Sequence, residues 1–102
     1  MKVLKFGGTS VGSAAGIRKV RNIIAAQSGS RIVVLSAMSG VTNKLVEVAG
    51  YFSKGKEAEV ILAIDALWLD HKAVVEELFP ASEFREDTLS HLHSLFQDLK
   101  EV

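Results

Sequence analysis

The sequence predicts an α/β chain: an N-terminal β-α-β unit with parallel strands, then a mainly helical segment ending in an antiparallel helix hairpin. Three observations carry this. Two short runs rich in β-branched and aromatic residues, Val3 to Phe6 and Arg31 to Ser36, flank a stretch of helical periodicity. The second run is apolar at four consecutive positions, Ile32 to Leu35, as in strands of parallel sheets. From Val41 onward the apolar residues recur only at helical spacing.

The elements follow in order. Val3-Leu4-Lys5-Phe6 reads as a strand that stops at Gly7-Gly8. Residues 13 to 27 place Ala14, Ile17, Val20 and Ile24 on one helical face and Arg18, Lys19, Arg21 and Asn22 on the other, with Gly29 where a helix C-terminus favours glycine. The strand over Ile32 to Leu35 is expected to be covered on both faces, and the strand-helix-strand crossover to be right-handed. Val41, Leu45, Val48, Ala49 and Phe52 form the next helical stripe, which Ser53-Lys54-Gly55 closes. A longer stripe of Val60, Ile61, Ile64, Leu67, Trp68, His71, Val74, Val75 and Leu78 runs until Pro80 stops it. Phe84, Leu89, Leu92, Leu95, Phe96, Leu99 and Val102 give the last helix, expected to pack back on its predecessor as a hairpin. Two strands are few for a covered parallel sheet, and the last pattern has no cap, so the chain reads as part of something larger. It divides into residues 1–55, the β-α-β unit and following helix with the phosphate and substrate loops, and residues 56–102, the hairpin.

Bulk properties narrow the function. At 102 residues the chain has the length of one small domain, which buries about two-thirds of its unfolded surface. Twelve Lys+Arg balance twelve Asp+Glu, so nothing in the total charge favours nucleic acid or an anionic membrane. There is no cysteine for disulfides or thiolate metal sites. MKVLKFGG is too short an apolar run for a signal peptide, and no segment approaches the roughly 18 apolar residues needed to span a bilayer. A cytoplasmic protein is the expectation.

Ligands of open parallel sheets bind beyond the carboxyl ends of the strands, here the Gly7-Gly8 turn and the loop from Ser36 to Asn43. These two polar loops should be neighbours. Gly7 and Gly8 lack Cβ atoms, so their backbone can turn sharply and present N–H groups to a bulky anion, helped by the dipole of the following helix. Lys5 would reach the same space and neutralise charge on a phosphoryl oxygen. Thr9 and Ser10 can cap that helix or bond the ligand. The order differs from a Walker loop, whose lysine follows its glycines. A plainer reading stands beside this one: the Gly-Gly pair as a tight turn, Lys5 as a solvated side chain, and Ser39 or Thr42 as a helix cap. His91 and His93 lie on different helical faces and His71 on an apolar stripe, so none reads as a ligand or base, and no metal-binding residues are assigned. Trp68 and the Leu/Phe stripes read as core.

MKVLKFGGTSVGS followed by RIVVLSAMSGVTN closely resembles the N-terminal region of aspartate kinases, within the amino acid kinase family; the likeness in order and spacing covers roughly the first 50 residues. The resemblance implies an amino acid kinase-like parallel sheet. It implies that Lys5 contacts the transferring phosphoryl group of ATP, that Gly7 and Gly8, with Thr9 and Ser10, line the phosphate site, and that Ser36 and Thr42 hold the substrate aspartate. It further implies ATP and Mg2+ as cofactors, L-aspartate as acceptor, 4-phospho-L-aspartate as product and a role in lysine, threonine and methionine biosynthesis. The family's residues for metal and adenine would lie beyond residue 102, leaving this chain an inactive portion that self-associates as a homo-oligomer. A glutamate, carbamate or nucleotide kinase of the same family, or a non-catalytic anion-binding or helical interaction module, are the alternatives.

Overall fold

In the computed structural model, residues 1–101 are described, and they form two compact units, Met1–Thr42 and the chain from Asn43 on. Val102, which the sequence pattern places on the last helix, lies outside the described residues.

The first unit is strand, helix, strand. β1 (Lys2–Phe6) and β2 (Arg31–Leu35) pair in parallel with the register Lys2↔Arg31 through Phe6↔Leu35. Parallel partners share a sheet face, so Leu4, Phe6 and Val33 point one way and Val3, Lys5, Ile32 and Val34 the other. The first three are half-buried. On the same face Lys2 donates from Nζ to Oε1 of Gln27, just past α1 (Ala14–Ala25), at 2.9 Å, while Leu35, paired with Phe6, is 56% exposed. On the opposite face Val3 is 59%, Ile32 46% and Val34 46% exposed. The expectation that β2 is covered on both faces therefore fails. An apolar run marks residues that can be buried; it does not supply the neighbour that buries them.

Helix α1 starts one turn later than its nearest hydroxyls allow. Ser13 is its N-cap, with φ −150° and ψ 163°, and its Oγ accepts the N–H of Gly16 at 3.1 Å. Ala14 and Val20 are buried, Ile17 and Ile24 half-buried, as the periodicity predicts. The helix ends at Ala25 with Ala26 as C-cap, and Gly29, at φ +78°, serves the turn into β2 instead of capping α1.

The second unit contains most of α2 (Val41–Ser53), then α3 (Glu57–Leu78) and α4 (Glu83–Lys100). α2 closes in a Schellman arrangement: Lys56 N–H donates to Tyr51 C=O at 2.9 Å and Gly55 N–H to Phe52 C=O at 3.1 Å, with Gly55 at φ +71°. α3 and α4 form the antiparallel hairpin expected from their stripes. Pro80 separates them, Ser82 caps α4 by accepting the N–H of Arg85 at 3.2 Å, and Arg85 reaches back to Glu76 at 3.0 Å. At the far end Lys100 pairs with Asp65, and between the two Trp68 meets Phe96 with ring centroids 5.9 Å apart. Ile64, Leu67 and Val75 are buried. Leu95, predicted on the inner stripe, is 51% exposed, because Leu89, Leu92, Phe96 and Leu99 already fill the face turned to α3. No helix among the described residues is long and apolar enough to cross a membrane.

Candidate functional site

The carboxyl ends of β1 and β2 leave the sheet side by side. Beyond the last register pair the ladder gains one more rung, the Ser36 N–H donating to the Phe6 C=O at 3.1 Å. Gly7 follows Phe6 directly, so the two loops begin at adjacent points on one edge.

They then stay in contact. A Cβ built on Gly8 would stand 3.2 Å from the Ala37 carbonyl oxygen and 3.3 Å from the Ser39 Cα, so only a bare Cα gives this approach without displacing backbone. The expectation that the polar loops are neighbours is met at the level of the backbone. The first loop is a tight turn in which the N–H groups of Ser10 and Val11 both donate to the Gly7 carbonyl, at 3.1 and 3.3 Å. That leaves the N–H groups of Gly8 and Thr9, which donate to nothing among the described residues. Those of Ala37, Met38, Ser39 and Gly40 are likewise unengaged. Open donors on two touching loops are what an anion needs.

The side chains assigned from sequence fall as follows. Lys5 lies on the uncovered sheet face, paired in register with Val34, and its ammonium makes no hydrogen bond or ion pair among the described residues. Gly7 and Gly8 form the turn; Thr9 and Ser10 are exposed within it and do not cap α1, because Ser13 takes that place. Ser36 is exposed, and its Oγ donates to the Ala37 carbonyl at 2.7 Å. Thr42 is the second residue of α2 and exposed; neither it nor Ser39 makes a side-chain capping bond, and the residue before the helix is Gly40 at φ +84°. The cap reading of Thr42 and Ser39 thus finds no support in the geometry.

One signal was present in the sequence and cancelled by its totals. Residues 1–42 carry Lys2, Lys5, Arg18, Lys19, Arg21 and Arg31 and not one carboxylate; all twelve Asp+Glu lie from Glu47 onward. The unit that holds both loops is therefore strongly cationic, which raises the local concentration of anions. Two of the three histidines make structural contacts, and His91 is exposed. His71 Nδ1 lies 2.7 Å from the Leu67 carbonyl and His93 sits edge-on to Trp68 at 5.2 Å. No group of three or more His, Asp or Glu gathers among the described residues.

This edge matches a known sequence pattern over most of the chain, since the profile of the amino acid kinase family covers residues 1–93. The chain belongs to the amino acid kinase family. Among its relatives, the bifunctional aspartokinase/homoserine dehydrogenase 2 of Arabidopsis thaliana is 32% identical over 99 residues, which take in 96% of this chain and 11% of that protein. The aspartokinase of Chlamydia trachomatis is 41% identical, covering 81% of this chain and 23% of its own length. The lysine-sensitive aspartokinase 3 of Escherichia coli is 35% identical over 83% of this chain and 18% of its own. The chain thus spans less than a quarter of the length of each of these relatives. Within the amino acid kinase family its likeness is to aspartokinases, and the pair of parallel strands followed by helices accords with that membership.

Proposed function

We propose that the paired loops are the phosphate and substrate walls of an aspartate kinase, which transfers the γ-phosphoryl group of MgATP to the side-chain carboxylate of L-aspartate. The observation that carries this reading is the contact of Gly8 with Ala37 and Ser39, which sets open N–H donors from both motifs on one strand edge of a cationic unit. Relatives named as aspartokinases support the choice of acceptor over glutamate, carbamate or a nucleotide.

In this reading Gly7 and Gly8 let the backbone close on the nucleotide phosphates, and the N–H groups of Gly8 and Thr9 bond their oxygens. Thr9 and Ser10 add hydroxyls to the same wall. Lys5, unpaired on its strand, neutralises the transferring phosphoryl group. Ser36 and Thr42 hold aspartate, Ser36 by turning its hydroxyl away from Ala37. Residues 1–42 have N–H groups, hydroxyls and ammonium groups but no carboxylate, a set that fits phosphate and not a bare metal ion. Mg2+ accordingly enters as part of the MgATP substrate, where it offsets phosphate charge. A carboxylate oxygen of aspartate attacks Pγ, the bond from Pγ to the bridging oxygen of ADP breaks, and 4-phospho-L-aspartate and ADP leave. Aspartate is already ionised at neutral pH, so no base is required, and catalysis consists of positioning and charge neutralisation. The product would feed lysine, threonine and methionine biosynthesis in the cytoplasm.

Two strands provide one wall of such a site, so the 102-residue chain alone should bind phosphate without turning over. The test is aspartate-dependent ADP release by an aspartokinase-length protein carrying this segment, with glutamate, carbamate and nucleoside monophosphates as competing acceptors. Release that depends on one of the other acceptors would displace the aspartate assignment.

A further inference from the structure

Gly12 lies between the phosphate turn and the cap of α1, and the structure gives it close neighbours on two sides. A Cβ built there would stand 2.9 Å from the Gly8 carbonyl oxygen and 3.0 Å from the Ser39 Cβ. The φ of Gly12 is not positive, so the need for glycine here is one of space and not of backbone freedom. We propose that Gly12 is a positioning residue that seats Ser39 on the phosphate turn and orients the donors of both loops toward one ligand; this rests on the phosphate reading above.

The effect of Gly12 runs through a single peptide plane. The Gly8 carbonyl faces Gly12, and in a planar trans peptide the N–H of the following residue points the opposite way. The N–H of Thr9, unengaged among the described residues, is therefore aimed away from Gly12, and its direction is set by how closely Gly12 lets the Gly8 carbonyl approach. A methyl group on Gly12 pushes that carbonyl, rotates the plane and turns the Thr9 N–H off its axis. The same methyl meets the Ser39 Cβ and lifts the second loop, whose Cα and N also pack on Gly8 at 3.3 and 3.4 Å from its built Cβ. One residue thus controls the aim of a phosphate donor and the seat of the neighbouring loop. Filling the turn with phosphate should in consequence be sensed at Ser39.

The experiment follows backbone amide shifts of the 102-residue chain during titration with MgATP and, in parallel, inorganic phosphate. The variants are Gly12→Ala, Ser39→Gly and the double variant, each with a thermal melt. In the native chain the amides of both Gly8–Thr9 and Ala37–Ser39 should move with one saturation curve. Gly12→Ala should weaken binding about tenfold or more, the loss expected when a hydrogen bond to a charged group is misaligned, and should abolish the response at Ser39. Removing the Ser39 Cβ frees one of the two contacts, so Gly12→Ala/Ser39→Gly should recover part of both, a coupling that a general loss of stability would not produce. If the native chain shows no response at either loop, the phosphate reading falls and this inference with it. A native response left unchanged by Gly12→Ala overturns the role of Gly12 alone. Should Gly12→Ala fail to fold, the double variant decides, and absence of recovery in a folded double variant also overturns it.

Discussion

Phe6 accepts a hydrogen bond from the N–H of Ser36 at 3.1 Å, one residue past the last register pair of the two strands. That rung means that the Gly7-Gly8 turn and the second motif start from the same edge, one strand spacing apart. From it follows the assignment most open to test, that of Lys5. Lys5 is exposed, next to the end of β1, and bonded to nothing among the described residues, so it adds little to the fold. In an aspartokinase-length protein carrying this segment, Lys5→Ala should lower kcat by about a hundredfold or more, the scale of losing one preorganised charge-stabilising group. Its thermal melt should match the parent's. Near-normal kcat, or a loss that tracks unfolding, would remove Lys5 from the catalytic step.

Two glycines inside helices should respond oppositely to the same change. Gly50 in α2 has open space where its Cβ would be, so Gly50→Ala should raise stability by about 0.4–1 kcal/mol through helix propensity and a less flexible unfolded chain. Gly16 in α1 would place a Cβ against the Ser10 carbonyl oxygen, closer than a real Cβ can sit, so Gly16→Ala should cost about 1–3 kcal/mol despite the same propensity gain. Denaturant melts of both variants, read as midpoint shifts, check the pair. Stabilisation by Gly16→Ala would mean that the turn yields freely.

Much of this architecture was legible because its signals are local. The end of α2 at Gly55 and the break at Pro80 depend on single residues whose backbone limits are intrinsic. The adjacency of the two loops follows from parallel pairing, which the unbroken apolar run of β2 signals. What failed depends on three-dimensional context. Thr9, Ser10 and Ser13 all bear hydroxyls, and only the turn closed on the Gly7 carbonyl decides that Ser13 begins the helix. The exposure of Ile32 and Val34 is a property of missing neighbours, not of those residues. The cationic character of residues 1–42 was readable but vanished in a whole-chain sum.

That uncovered sheet face predicts association. Val3, Ile32 and Val34 surround Lys5 on one side of a two-stranded sheet whose edges are unpaired among the described residues. Such surfaces seldom persist on a monomer. The purified chain should form homo-oligomers whose mass rises with concentration in sedimentation, and Ile32→Lys should shift that equilibrium toward monomer. A concentration-independent monomer mass would count against the prediction.

Thr42 separates a structural from a functional role most sharply. As the second residue of α2, with an exposed side chain and no capping bond, it has little to lose structurally. Thr42→Ala should therefore leave the melt within about 0.5 kcal/mol of the parent, the range of ordinary surface changes. Had Thr42 been the N-cap, the same change would cost about 1 kcal/mol and leave the kinetics alone. If its hydroxyl bonds aspartate, Thr42→Ala should raise the KM for aspartate roughly ten- to a hundredfold, the equivalent of about 1.5–3 kcal/mol for a hydrogen bond to a charged group. The KM for ATP should change far less, since the proposed function puts the nucleotide phosphates on the other loop, and Thr42→Ser should restore most of the loss. Steady-state kinetics with each substrate varied in turn, on an aspartokinase-length protein, distinguish these outcomes. Equal increases in both KM values would mean that the change acts through the shared loop contact between Gly8 and Ser39, and not through a bond from Thr42 to aspartate.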